Sequence, residues 1–160
     1  MTPLSARAIT CIESRLRRIT EAGGYHTSAG ANVRRSAAVV EEALGITVWC
    51  TGETATGAAN AAKRDIVLAV DVIGYVPASQ AYTGHALECI KADIKVALLR
   101  GWADDLKDDL GFIGTINYTG ATLQPRGDGA TGEAVALTFE VRYAEGVGNP
   151  YGPQDARRAV

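Results

Sequence analysis

Apolar positions recur with two periods along this 160-residue chain, and the points where one period replaces the other predict its elements. The clearest stretch is residues 64–76, RDIVLAVDVIGYV, where Ile66, Leu68, Val70 and Val72 fall on one side. Val67, Ala69, Asp71 and Ile73 fall on the other. A near-continuous β-branched run of this kind reads as the central strand of a sheet, covered on most of both faces and closed by Gly74 and Pro77. Ile46, Val48 and Cys50 alternate with Thr47, Trp49 and Thr51, which predicts a second strand with one mostly buried face. Residues 112–123, built around Ile113, Ile116 and Tyr118, and residues 133–143, through Val135, Leu137, Phe139 and Val141, read as an antiparallel pair. The glycine-rich segment 124–132 between them has turn composition.

The longer period marks two helices. Leu4, Ala8, Ile12, Leu16 and Ile19, widened by Ile9, form a stripe over residues 4–22, with Thr2 or Ser5 as cap and Gly23-Gly24 as stop. The opposite face carries Arg7, Glu13, Arg15, Arg17, Arg18 and Glu21, which serves solubility or forms a cationic contact surface. Ala86, Leu87, Ile90, Ile94, Ala97 and Leu98 define a second helix over residues 79–100, with Cys89 beside the stripe and Glu88, Lys91, Asp93 and Lys95 opposite. Residues 102–110 suggest a short helix packed through Trp102, Leu106 and Leu110.

Residues 25–36 read as a polar loop ending in a short extended segment, and residues 37–45 are ambiguous. The small, polar stretch 52–63, GETATGAANAAK, is expected to be a long, mobile loop between the two central strands. These elements amount to one α+β domain over residues 1–145, a sheet with two main helices packed on it. Residues 146–160 are expected to form an extended arm or a disordered tail.

Composition narrows the function. The chain is 47% hydrophobic and 21% charged, as in a soluble globular domain long enough to bury an ordinary core. A formal net charge of −2 gives no global positive field toward nucleic acid or anionic membrane. No apolar run approaches the ~20 residues that span a bilayer. The first residues, MTPLSARAIT, lack the basic-then-apolar pattern of a secretory signal. Cys11, Cys50 and Cys89 are odd in number and far apart, which fits buried, reduced thiols in a cytosolic protein.

The motifs are weak. Residues 127–132 fit G-x-G-x-x-G, but a dinucleotide fingerprint needs a helix after it, and here a β pattern follows. Asp104, Asp105, Asp108 and Asp109 lack the ligand spacing of a calcium loop and read as a negative face, solvated or used for docking. His26 and His85 stand near no nucleophile motif. No catalytic residue, cofactor or metal ion is expected, and the chain is not read as an enzyme.

One resemblance spans most of the chain up to Pro150. Its pieces are IESRLRRITEAGGY at residues 12–25, Val33-Arg34, Ile46-Thr47-Val48-Trp49, DIVLAVDVIG at residues 65–74, the helix over residues 86–99, and LTFEVRY at residues 137–143. In pattern and order these resemble the tail terminator proteins (tail completion, minor tail protein U-like) of long-tailed bacteriophages. The resemblance implies a mixed, mostly antiparallel sheet carrying helices, and a virion protein made in the host cytoplasm. It implies a homo-oligomeric ring, typically a hexamer, at the head-proximal end of the tail. That ring caps the tail tube protein, stops its polymerisation and docks the head–tail connector protein, while DNA passes through without specific binding. No membrane is involved.

Heterologous interfaces repeated by rotation close such rings. Candidate interface residues are the cationic Arg7, Arg15, Arg18, Arg34 and Arg35, the acidic Asp104, Asp105, Asp108 and Asp109, and Trp49. Two other classes stay open: a different neck or connector protein, and a small-ligand-binding α+β module, or a subunit of a cytosolic enzyme with its site at a subunit boundary, with a preformed apolar pocket.

Overall fold

The computed structural model describes residues 2–36, 43–57, 62–80, 83–100, 113–124 and 131–151. Helix α1 (Leu4–Leu16) is followed by two 3-10 turns, Glu21–Gly23 and Ala29–Asn32. Then come β1 (Val33–Arg35), β2 (Gly45–Thr56), β3 (Lys63–Pro77), α2 (Thr83–Leu99), β4 (Ile113–Gln124) and β5 (Gly132–Gly146). The strands form one sheet in the order β1-β2-β3-β5-β4. Only β1 and β2 run parallel; every other neighbouring pair is antiparallel. The fold is α+β, a mixed and mostly antiparallel sheet bearing two helices.

β3 is the central strand, paired along its length with β2 and β5. Its cover is one-sided. Ile66, Leu68, Val70, Val72 and Val76 are buried in one core with both helices, whereas Val67, Ala69, Asp71 and Ile73 are only half-covered. Both helices pack in one layer, so among the described residues no helix covers the second face. The core face continues through Ile46 and Val48 on β2 and through Val135, Leu137, Phe139, Val141 and Tyr143 on β5. Gly74 does not close the strand. It lies beneath α2, where an added Cβ would meet the Ile90 side chain at 3.0 Å, so glycine lets helix and sheet approach. The strand runs on to Pro77.

The helices are shorter than their apolar stripes. α1 stops at Leu16 because the second 3-10 turn folds under its end. The Gly30 N–H donates to the Ile19 carbonyl at 2.9 Å, and a Cβ on Gly30 would lie 2.6–2.8 Å from the carbonyls of Ile19, Leu16 and Arg17. Ile19 is buried beyond the helix, which is why it fitted the stripe. Neither Thr2 nor Ser5 caps α1: Pro3 holds the N-cap position, and the Leu4 N–H donates to the Pro150 carbonyl at 2.8 Å. The segment after β5 therefore returns to the start of the chain. α2 starts at Thr83 because residues 78–80 turn instead, with the Gln80 N–H on the Pro77 carbonyl.

The expected loop over residues 52–63 is strand at both its ends, and residues 58–61 lie outside the described residues. Gly52 to Thr56 pair with Ala69 to Asp65 in register, past a bulge at Cys50/Gly52, and Lys63 opens β3. Backbone pairing needs no bulky side chain, so a small, polar sequence still forms the ladder. The predicted short helix over residues 102–110 lies outside the described residues.

Candidate assembly surface

Three polar residues assigned by sequence to helix surfaces are interior. Arg15, 4% exposed, donates from Nη1 to the Ala97 carbonyl at 3.2 Å and to the Arg100 carbonyl at 3.5 Å, tying α1 to the end of α2. Cationic donors suit the C-terminal carbonyls of a helix. Glu13 is buried and held bidentately by Arg35, Nε to Oε1 at 3.1 Å and Nη2 to Oε2 at 2.9 Å, with Thr10 Oγ1 also accepting from Arg35. Asp93, 2% exposed, accepts from the backbone N–H groups of His26 and Thr27 and from Thr27 Oγ1, at 2.8–3.1 Å.

The cationic set is therefore divided. Arg15 leaves the surface, and Arg35 is engaged within the fold, locking β1 to α1. Arg7 is half-buried, and Arg18 and Arg34 are exposed. Asp104, Asp105, Asp108 and Asp109 lie outside the described residues. His26 is exposed, and His85 Nε2 lies 3.5 Å from Cys89 Sγ, one helical turn away. None of the cysteines is in a disulfide, and none is buried as expected: Cys11 and Cys89 are half-buried and Cys50 is exposed on β2. Gly132, the last glycine of the G-x-G-x-x-G run, begins a strand and not a helix.

What the sheet exposes is more informative. β2 passes out of the core after Val48, and every residue from Trp49 to Thr56 is exposed. Opposite them on β3, Ile66 and Leu68 stay buried and Lys63, Arg64 and Asp65 pair onward with β5, so the exposed arm is this outer half of β2 alone. Trp49 is 45% exposed at its root, opposite Asp71 on the uncovered face. Further across that face, Thr138 Oγ1 donates to Asp71 Oδ1 at 2.8 Å, and Arg142 pairs with Glu140 at 3.1 Å.

A polar contact fastens the arm to the body. The Tyr143 hydroxyl donates to Glu53 Oε2 at 3.2 Å; burial, reinforced by the Glu53 charge, pushes the phenol pKa well above its ordinary 10.0. A cleft of about 380 Å³ lies at this junction, lined by Thr56, Asp65, Thr115, Arg142 and Tyr143 among others. Near β1, a smaller cavity of about 60 Å³ is lined by Asn32, Arg34, Thr47 and Tyr75. Thr47 Oγ1 is buried there without a hydrogen-bond partner among the described residues.

At the far side, β4 is the terminal strand. Lys95 Nζ sits 4.2 Å from the centre of the Tyr118 ring, which leans against Phe139 at 5.6 Å between centroids. Among the described residues no group of three or more His, Cys, Asp or Glu is arranged to hold a metal ion, and no helix is long and apolar enough to cross a membrane. No family model matches the chain, and no curated protein matches its sequence.

Proposed function

We propose that this chain is a structural virion protein that forms a ring on the tail tube of a long-tailed bacteriophage, ends tube polymerisation and presents the docking face for the head-side connector. The observation that carries this reading is the exposed arm, the outer half of β2. Its backbone is ordered by pairing, yet Trp49 to Thr56 bury nothing in the chain's own core. An ordered, unburied arm is a contact element, since its side chains are free to meet neighbours without unfolding the body. The order of elements that resembles the tail terminators supports the same reading, as does their α+β architecture.

The partners are further copies of the chain, the tail tube protein and the head–tail connector protein. DNA passes through the ring without specific binding, and a net charge of −2 suits a channel that does not retain phosphate. The test is growth of purified tail tube protein with and without this chain. Capped tubes that stop lengthening support the reading. Tubes of unchanged length with bare ends contradict it.

A further inference from the structure

We propose that copies of this chain join head to tail through their sheet edges, with β4 of one copy pairing with the outer half of β2 of the next. This names the joint within the ring proposed above and rests on that reading.

Among the described residues, β4 has no strand on its outer side and β2 has one only along its inner half. β4 is twelve residues long, and its sequence, IGTINYTGATLQ, contains no Asp, Glu, Lys, Arg or Pro. Natural sheets protect their edges by short strands, charge, proline or bulges. Of these devices β4 has only two bulges, at Ile113/Thr115 and Tyr118/Gly120, and Leu123 is 56% exposed upon it. At the other end of the sheet, β1 covers β2 only from Ile46 to Val48, and the Ser36 N–H on the Val48 carbonyl is the last bond of that pairing among the described residues. From Trp49 to Thr56, eight residues continue with no strand on their outer side among the described residues. That span is ~27 Å of unpaired edge, at about 3.4 Å per residue.

Strand direction favours this union. β2 and β5 run one way, β3 and β4 the other. A neighbour placed in the same orientation thus sets its β4 antiparallel to β2, continuing the alternation of the sheet. Charge supplies the register. Glu53, the only charged side chain on the outer half of β2, shares the helix side of the sheet with its partner Tyr143. Lys95 lies over Tyr118 on the helix side of β4. With Tyr118 opposite the neighbour's Glu53, the two charges meet on one side of the joined sheet, and Asn117 faces Thr54 on the other.

A two-fold β4–β4 pair would leave the β2 edge open, whereas the head-to-tail joint uses both edges and repeats until it closes. One joint of this length is small beside a standard interface of roughly 1,600 Å², so closure and the tube template strengthen it.

The test uses the full chain with Cys50→Ser, combining Thr54→Cys with Thr115→Cys, Asn117→Cys or Thr122→Cys in turn. Oxidation is carried out with and without tail tubes, and light scattering gives the mass of the reduced protein. The proposal expects Thr54→Cys/Asn117→Cys to give a ladder of covalent dimers, trimers and higher species. Glu53→Lys and Lys95→Glu each reduce the ladder several-fold, and the double exchange restores it. An Asn117→Cys single variant that cross-links as a dimer and no further would show the two-fold alternative and overturn the proposal. Oligomers by mass with no cross-link at any of the three positions would overturn the joint while leaving the ring standing. A monomer that also ignores tubes would overturn both.

Discussion

The two halves of β2 have the same backbone pairing with β3 and opposite surroundings. In the inner half, Ile46 and Val48 face Gly74 and Val72 beneath α2, and the core side is fully buried. In the outer half, Gly52 to Thr56 pair as regularly with Ala69 to Asp65, yet every one of these β2 residues is exposed although Leu68 and Ile66 opposite them are buried. Hydrogen-bonded pairing therefore does not separate body from arm; burial does. Burial contributes ~25 cal/mol per Å² of apolar surface, so stability concentrates in the body and the arm is free to serve contacts.

Substitutions should follow that division. The largest loss is expected for Phe139→Ala, which empties the centre of the core and removes the support of Tyr118, at about 3–5 kcal/mol in urea unfolding. Asp93→Ala comes next, at about 3 kcal/mol, because three donors from His26 and Thr27 lose their acceptor in the interior. Asp93→Asn retains one acceptor oxygen and should cost less, and equal losses would show that the hydrogen bonds are not the cause. Gly74→Ala should cost about 1–3 kcal/mol by pressing on Ile90, with part of the loss recovered by adding Ile90→Val. Smallest of all, Trp49→Ala should change stability by no more than ~0.5 kcal/mol while weakening assembly on tubes. A Trp49→Ala loss as large as that of Gly74→Ala would erase the distinction between arm and body.

The sequence was legible where burial differs between faces and opaque where it does not. Alternation through Ile66 to Val72 located the central strand, and Val135 to Val141 its partner. The uneven spacing Ile113, Ile116, Tyr118 was already the mark of the bulge at Ile113/Thr115, which adds one residue to a period of two. Glu13, Arg15 and Asp93 were assigned outward by charge alone. Their positions pointed inward: Glu13 lies four residues from Ile9, Arg15 three from Ile12, and Asp93 three from Ile90. Each is satisfied by a distant segment, which helical periodicity cannot show. The arm was missed because GETAT has no alternation to read when neither face is buried. The engagement of Arg35 was hidden for a related reason, since Glu13 captures it only once β1 lies against α1.

Amide hydrogen exchange on the full chain, free and assembled on tail tubes, measures body, arm and edges together. In the free chain, amides of β3 and β5 should be strongly protected, while the outward amides of β4 and of residues 49–56 exchange fast. On tubes, protection should rise along β4 and residues 49–56 and stay unchanged in the core. Edges already protected in a free monomer, or unprotected after assembly, would contradict the division of this sheet into a stabilising body and an assembling rim.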